Sequence, residues 1–247
     1  MADATPLRPA PARPAGRPPQ RPMGPPKPRV PSLLMRVWDA PTRLFHWAIV
    51  LLVAFSYLCA QREWVQLHFL SGYAVLALLL FRLAWGFIGS ETSRFRQFVR
   101  SPIAGLRHIA AFGKREPDTE IGHNAAGGWA VLAMLAALLV QTGTGLFSNN
   151  DIDAQGPLAH NVSKGTSNWL TGLHAWSFWV LLALVAMHIA AIVAYAAVKR
   201  HGLVRAMVTG KKRLPANLRQ PRFASPVLAA GVLAVSAGMV WMLVRFG

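Results

Sequence analysis

Two histidines stand at the ends of the apolar stretch LHAWSFWVLLALVAMHI, which runs from Leu173 to Ile189. They are fourteen residues apart, which on an α-helix gives about 1400°, roughly 40° short of four full turns, and a rise of about 21 Å. His174 and His188 therefore share one face of a helix at two depths. Because imidazole commonly binds metal ions and haem iron, this spacing suggests two cofactor sites along one helix.

Two further histidines fall in other apolar runs at matching depths. His46 lies near the start of the first run, and His68 lies near the start of the second. If successive runs cross a membrane in alternating directions, His46 is level with His188, and His68 is level with His174. We name His46–His188 the inner pair and His68–His174 the outer pair, after these predicted depths. A cofactor such as haem takes one imidazole on each face, so that each cofactor needs one such pair. Two pairs would therefore serve two cofactors.

Five apolar runs are long enough to cross the hydrocarbon core of a bilayer, which takes about 20 residues of helix. Because the backbone must satisfy its own hydrogen bonds in lipid, runs of this length are predicted to be helices. The first is short and is expected to begin upstream, near Pro41. The sequence thus predicts an all-α integral membrane protein. The runs are Leu44–Ala60, Leu67–Gly89, Ala125–Phe147, Trp169–Val198 and Pro226–Val244.

The distribution of Lys and Arg predicts the orientation of the chain. Of the 26 Lys and Arg residues, 22 lie before the first span, between the second and third, or between the fourth and fifth. Only Arg62, Lys164 and Arg245 lie on the other side, and Arg82 lies within a span. The positive-inside rule then places the N-terminus in the cytoplasm and the C-terminus outside. The charge of +17 is thus a topology signal, and we assign it no nucleic-acid partner.

The N-terminal segment differs from the rest in composition. Its first 31 residues hold 11 of the 18 prolines, and it has no apolar stretch of the kind found in signal peptides. Residues 1–35 are therefore predicted to be a disordered, Pro- and Arg-rich cytoplasmic tail. The single cysteine, Cys59, allows neither an internal disulfide nor a CxxCH haem attachment, so that any haem is held by coordination alone.

Helix packing and zinc binding are the two alternatives to haem for these histidines. A single histidine in a span is often a packing residue that hydrogen-bonds a neighbouring helix, but four that pair by depth across three helices are hard to account for in this way. Zinc prefers three or four ligands at one depth, and the spans contain neither HExxH nor a carboxylate cluster. The remaining histidines, His108, His160 and His201, fall in basic or polar segments typical of a surface.

Four segments resemble the bacterial di-haem cytochrome b561 family, in the branch close to the cytochrome b subunits of nickel–iron hydrogenases. They are WDAPTRLFHW, FRLAWGFIGSETSRFRQFV, GHNAAGGW and RAMVTGKKR, and the resemblance covers residues 36–213. It implies a four-helix transmembrane domain with two non-covalent b haems, held by histidines that correspond to His46, His68, His174 and His188. Relatives usually have Pro-Leu where this chain has Ala125-Ala126, and many lack a fifth span. Residues 214–247 are therefore predicted to be a linker and an additional transmembrane helix, which either packs against a partner subunit or, as we favour, anchors the C-terminus.

Three further residues are candidates for contact with a cofactor. Arg82 is fourteen residues after His68, on the same helix face at the depth of the inner pair, where a buried arginine needs an anionic partner such as a haem propionate. Arg43, about one turn before His46, either reaches a propionate or is an ordinary positive-inside anchor. His123, which begins the third span, is a propionate partner, a proton shuttle to a bound quinone, or a helix cap.

Two segments outside the spans are interpreted as scaffold or docking surface. The stretch RFRQFVRSPIAGLRHIAAFGK places apolar residues among basic ones, with a helix start at Ser101-Pro102, and suits a helix in the membrane interface. The polar loop after the third span carries Asp151 and Asp153, which could meet a basic partner such as a cytochrome c, although such loops are more often simply solvated.

The leading hypothesis is transmembrane electron transfer between the quinone pool and a redox partner at the outer face or a partner subunit, in the bacterial inner membrane. Two imidazoles on each iron leave no open coordination position, which favours electron transfer over substrate chemistry at the metal. Two alternatives belong to different functional classes. One is an enzyme that oxidises superoxide and reduces quinone, and the second is a haem-free transporter or assembly subunit whose histidines carry protons.

Overall fold

The computed structural model describes residues 31–113, 118–152 and 154–247. Five of its helices are long and apolar enough to cross a membrane, which confirms the five predicted spans. The first begins at Ala40, one residue before the expected start. A five-residue π-helical turn, Tyr195–Lys199, extends the fourth span. The helices are α1 (Ala40–Gln61), α2 (Val65–Ile88), α3 (Phe95–Phe98), α4 (Pro102–Ala110), α5 (Ala125–Gly145), α6 (Lys164–Ala194), α7 (Leu203–Thr209) and α8 (Pro226–Phe246).

The long helices α1, α2, α5 and α6 form two antiparallel hairpins, α1–α2 and α5–α6, within which the closest helix packing occurs. Helix α2 joins the hairpins by packing against α5, through a cluster that includes Val75, Leu79, Leu135, Leu138 and Leu181. The four histidines of the two pairs are divided between the hairpins, with two on α1 and α2 and two on α6. Each pair therefore spans the space between the hairpins.

Helix α8 packs along α2 of the same chain. Val240 packs with Leu76 and Ala77 at the middle of α2, while Ala229 packs with Phe81 and Trp85 toward its C-terminal end. The small residues Ala229 and Ser236 are buried, which lets the two backbones approach closely, as is usual between helices in lipid. The additional helix is thus an integral part of the bundle and covers a face of α2.

A two-stranded antiparallel ribbon lies outside the helices and was not predicted. Strand β1 (Ser32–Arg36) pairs with β2 (Lys211–Pro215), with Leu34 opposite Arg213. The predicted helical membrane bundle is confirmed, and the ribbon is a small addition to it. The disordered tail predicted for residues 1–35 extended too far, because residues 32–35 belong to β1. Residues 1–30 of that tail lie outside the described residues.

The ribbon closes one end of the bundle, which we call the ribbon end. Val37, Trp38, Ala206 and Leu214 are buried together there, so that α7 and both strands share a small apolar core. Gly210 links α7 to β2 at φ +75°, a conformation that glycine adopts without strain, and a Cβ there would stand 2.8 Å from the carbonyl oxygen of Trp38. The opposite end holds the α1–α2 turn and the α5–α6 loop, and we call it the loop end.

Helix α4 begins as predicted, with the Ser101 hydroxyl accepting a hydrogen bond from the Ala104 N–H at 3.3 Å. Gly105 faces Trp129 of α5, while Ile103, Leu106 and Ile109 are exposed. An exposed apolar ridge on a helix beside the ends of the spans is typical of a membrane interface. The interfacial location of α4 stays a prediction.

Candidate functional site

The inner pair meets near the ribbon end, where the imidazole centroids of His46 and His188 are 6.5 Å apart. Asp39 fixes the start of α1 and hence the position of His46. Its Oδ1 accepts the Thr42 N–H at 2.8 Å, and its Oδ2 accepts the indole N–H of Trp85 at 3.1 Å. The buried carboxylate therefore caps α1 and ties it to the end of α2.

The outer pair meets toward the loop end, where the centroids of His68 and His174 are 6.1 Å apart. The two imidazole planes are nearly perpendicular, at 87°. His68 lies in the first turn of α2, and His174 lies in the third turn of α6. Both predicted pairs are thus brought together, with each histidine opposite the partner expected from its depth.

The spacing within both pairs suits a metal ion between the rings. An imidazole nitrogen binds a metal at about 2 Å, so two rings on opposite sides of one ion have centroids roughly 6 Å apart. The observed separations of 6.5 and 6.1 Å match this distance. Direct hydrogen bonding between the rings would need a closer approach. Each pair could therefore hold one haem iron between its two imidazoles.

Hydrogen bonds orient both rings of the outer pair. The Nδ1 of His68 lies 2.9 Å from the main-chain oxygen of Ser56, and the Nδ1 of His174 lies 2.8 Å from that of Gln141. Because a carbonyl oxygen can only accept, each Nδ1 carries the proton. The Nε2 of each ring then carries the lone pair, which is the tautomer that a metal at Nε2 requires. At His174 the side-chain amide nitrogen of Gln141 lies 3.3 Å from that Nε2.

A large cavity adjoins the outer pair. It has a volume of about 710 Å³, and its lining includes His68, His174, Tyr73 and Phe178. Gly72 also lines it, and a Cβ at that position would meet no atom within 4 Å. A volume of this size, mostly apolar and with convergent imidazoles, is typical of a cofactor site.

Unpartnered nitrogens distinguish the neighbourhood of the inner pair. Among the described residues, three buried side-chain nitrogens lack a hydrogen-bond partner: His46 Nδ1, Arg82 Nη1 and His123 Nδ1. Buried polar groups are nearly always hydrogen-bonded, so such exceptions point to a missing partner. An anionic group such as a haem propionate would satisfy both Arg82 and His123.

Arg82 is almost fully buried, at 3% exposure. Its guanidinium carbon lies 5.1 Å from the ring centroid of Phe95. The nearest influential carboxylate is Asp39, whose two oxygens are already engaged by Thr42 and Trp85. The guanidinium is therefore incompletely paired in a low-dielectric environment, which supports the predicted role as a partner for an anion.

His123 lies between the rings of Trp38 and Phe98, with centroid distances of 4.8 and 4.9 Å. Burial, aided by the positive charge of Arg82, lowers the pKa of His123 to about 3. The imidazole is therefore neutral at physiological pH. Asn124, and not His123, caps α5, because its Oδ1 accepts the Gly127 N–H at 2.7 Å. The cap role considered for His123 is thus filled by its neighbour.

Arg43 lies at the ribbon end and is engaged by the main chain. Its Nη1 donates to the carbonyl oxygen of Val208 at 2.6 Å, and its Nε donates to that of Asp39 at 3.3 Å. These bonds hold the end of α7 against the start of α1. A propionate contact for Arg43 stays a prediction.

The zinc alternative finds no suitable donors. Among residues 31–113, 118–152 and 154–247, no group of three or more His, Cys, Asp or Glu side chains is placed to hold a metal ion. A tetrahedral protein site needs at least three such ligands. Within these ranges the inner pair and the outer pair each bring two imidazoles together.

The chain belongs to the prokaryotic cytochrome b561 family, whose model matches residues 37–210. It is also 26% identical, over 188 residues, to a probable Ni/Fe-hydrogenase 1 B-type cytochrome subunit of Escherichia coli strain K12, and to the same subunit of strain O157:H7. Each alignment covers 62% of this chain and 80% of the relative. The family and branch suggested by the sequence motifs are confirmed.

This membership makes the chain a multi-pass bacterial membrane cytochrome that binds b-type haem and transfers electrons. The bound haem supplies one-electron chemistry, and the protein sets its position and electronic environment. The facing imidazoles, the cavity and the unpartnered nitrogens are all features that fit haem.

Several residues that contact the outer pair were not predicted from the sequence. Gln141 and Thr144 of α5 contact the His174 ring, and Ser56 of α1 contacts His68. Polar residues inside an otherwise apolar span are costly and often functional. The sequence QTGTG at 141–145 carries that signal, although it does not show which ring the polar groups contact.

Of the two acidic residues predicted in the α5–α6 loop, Asp151 lies within the described residues. Asp151 forms an exposed ion pair with Lys164 at 3.3 Å, and Asp153 lies outside the described residues. Exposed pairs of this kind contribute little to stability. A docking role for this loop stays a prediction.

Proposed function

We propose that the chain carries electrons across the bacterial inner membrane through two bis-histidine b haems. We call these the inner haem, bound by His46 and His188, and the outer haem, bound by His68 and His174. The main observation that supports this proposal is the presence of two imidazole pairs, with ring centroids 6.5 and 6.1 Å apart. The rise along α6 separates the two sites by about 21 Å, which leaves a short gap between the edges of two haems.

We propose that the ribbon end is cytoplasmic and the loop end periplasmic. Within the described residues, the basic segments identified in the sequence lie at the ribbon end, in agreement with the positive-inside rule. The outer cavity reaches loop residues Ser148, Asn149 and Asn150, so that a partner at the periplasmic face could approach the outer haem. Given the relative named as a hydrogenase cytochrome subunit, we propose a hydrogenase-like subunit or a cytochrome c as this partner.

Quinone is the proposed partner on the other side of the relay. His123, neutral and buried close enough to Arg82 for that charge to act on it, is one candidate to exchange a proton with a quinone near the inner haem. It is equally a candidate to hydrogen-bond an inner propionate. Both roles use the Nδ1 that has no partner within the described residues.

The two remaining functional classes receive less support. Superoxide oxidation requires a cation to steer an anion to the outer site, and the described residues that line the outer cavity include neither Lys nor Arg. A haem-free, proton-carrying bundle would not need ring separations near 6 Å, and it conflicts with membership of a cytochrome family.

Electron transfer across a sealed vesicle tests the proposed function. Proteoliposomes that enclose ferricyanide are treated from outside with dithionite, and the loss of enclosed ferricyanide is followed by absorbance. We expect rapid loss in vesicles with the wild-type chain and only slow leakage in protein-free vesicles.

The control is the His188→Ala variant, which should retain the outer haem but interrupt the relay. Its rate should fall to near that of protein-free vesicles, because one remaining haem cannot connect the two faces. A His188→Ala rate equal to that of the wild type would contradict a relay through two sites.

A further inference from the structure

We propose that helix α5, which supplies no iron ligand, positions His174 through Gln141 and Gly145 and thereby lowers the midpoint potential of the outer haem. This inference rests on the proposed function, because it assigns a role to residues around the outer pair. It adds two positioning residues on a helix that neither the histidine pattern nor the family resemblance connects with iron.

Gln141 contacts the imidazole of His174 through both its main chain and its side chain. Its main-chain oxygen accepts the Nδ1–H at 2.8 Å, while its side-chain Nε2 lies 3.3 and 3.4 Å from the two ring nitrogens. The side chain is itself held, because Gln141 Oε1 accepts the hydroxyl of Ser177 at 2.5 Å. Ser177 lies three residues after His174 on α6, so that these contacts fasten α5 to α6 beside the ring.

Gly145, four residues after Gln141 on α5, approaches the same ring near Cε1 and Nδ1. A Cβ at this position would stand 2.9 Å from Cε1 and 3.1 Å from Nδ1 of His174. Contacts this short require something to shift, and an imidazole bound to iron and to Gln141 has little freedom to move. The absence of a side chain at residue 145 is therefore what allows α5 to pack against His174 in this orientation.

The outer pair differs from the inner pair at His46. His46, on the inner pair, has a buried Nδ1 without a hydrogen-bond partner among the described residues, whereas both outer rings donate Nδ1–H to main-chain oxygens. A hydrogen bond from Nδ1–H makes the other ring nitrogen a more basic ligand. A more basic ligand stabilises ferric over ferrous iron, so that the outer haem has the lower potential and an electron moves from it to the inner haem with a favourable free energy.

Gly145→Ala tests the proposal, and Gly143→Ala is the matched control, since a Cβ at residue 143 meets no atom within 4 Å. Both variants are purified with haem bound and studied by potentiometry with optical detection and by EPR of the ferric state. We expect Gly145→Ala to raise the potential of the lower-potential haem. The expected change is up to about tenfold in the one-electron equilibrium, equivalent to about 59 mV. The largest g value of that haem should also change, because it depends on the angle between the imidazole planes.

The inner haem of Gly145→Ala and both haems of Gly143→Ala should match the wild type. Selective loss of the outer haem from Gly145→Ala would also support the proposal. An unchanged outer haem, or an equal change in both haems, would overturn it.

If Gly145→Ala does not fold, Gln141→Leu decides, because it removes the side-chain contacts and keeps the main-chain acceptor. An outer haem with an unaltered EPR spectrum would then overturn the proposal, because the His174 ring would keep its orientation without the Gln141 side chain. Absence of a low-spin outer haem from the wild type would instead count against the proposed function.

Discussion

Replacing His174 by glycine is expected to remove the outer haem and leave the inner haem in place, while His188→Gly does the reverse. In the proposed arrangement each imidazole would supply one of the two protein bonds to the iron within its pair, where the ring centroids are 6.1 and 6.5 Å apart. Each single variant should therefore lose about half of the bound haem. Haem per polypeptide, together with low-temperature reduced spectra that resolve two bands, measures the loss.

Double variants separate this pairing from general damage. His68→Gly combined with His174→Gly should lose no more haem than either change alone, because both act on one site. His174→Gly combined with His188→Gly should lose nearly all haem. Added imidazole should restore low-spin haem to His174→Gly by occupying the position of the missing ring. Loss of the same haem from His174→Gly and His188→Gly would contradict the pairing.

Arg82→Gln is expected to lower the midpoint potential of the inner haem or weaken its retention, with the outer haem unchanged. Arg82 is 3% exposed, and its Nη1 has no hydrogen-bond partner among the described residues. A positive charge in a low-dielectric site disfavours the oxidised, more positive iron, so that its removal stabilises the ferric state. Potentiometry should show a shift of several tens of millivolts, on a scale of roughly 59 mV per tenfold change.

Arg82→Lys is the control that keeps the charge and removes the bidentate fork. It should preserve most of the potential and lose part of the haem retention if Arg82 holds a propionate. Equal effects of Arg82→Gln on both haems would show that Arg82 acts on the bundle as a whole, which contradicts its assignment to the inner site.

The spans and the histidine pairs could be predicted from the sequence because both depend on local rules. Length and hydropathy determine which runs cross a membrane, and the 3.6-residue period determines that His174 and His188 share a face. Alternating span directions then match His46 with His188 and His68 with His174. No knowledge of the helix packing was needed for these steps.

The ribbon could not be predicted because it depends on contacts distant in sequence. Each strand has five residues, and β2 is the basic sequence KKRLP, which lacks the alternation of a half-buried strand. The strands form only when the residues before α1 meet those after α7, around a core that includes Val37 and Leu214. The basic residues of β2, which helped to predict the orientation of the chain, gave no signal of a strand.

The surroundings of the rings depend likewise on how the helices pack. The sequence places Gln141 and Gly145 in the third span, but which ring they contact follows from the approach of α5 to α6. The same holds for Arg43, whose bond to Val208 joins residues 165 positions apart. Ligand candidates could thus be found from composition and period, whereas the residues that orient them could not.

The proposed electron transfer depends on two b haems in the chain, each between two histidines. The most direct measurement is haem per polypeptide on the detergent-purified protein, expressed with adequate haem supply, together with a dithionite-reduced minus oxidised spectrum. Two haems per chain with low-spin b-type bands is the predicted result. One haem per chain, or a high-spin spectrum that indicates an open iron position, would contradict the binding of two haems by two histidines each.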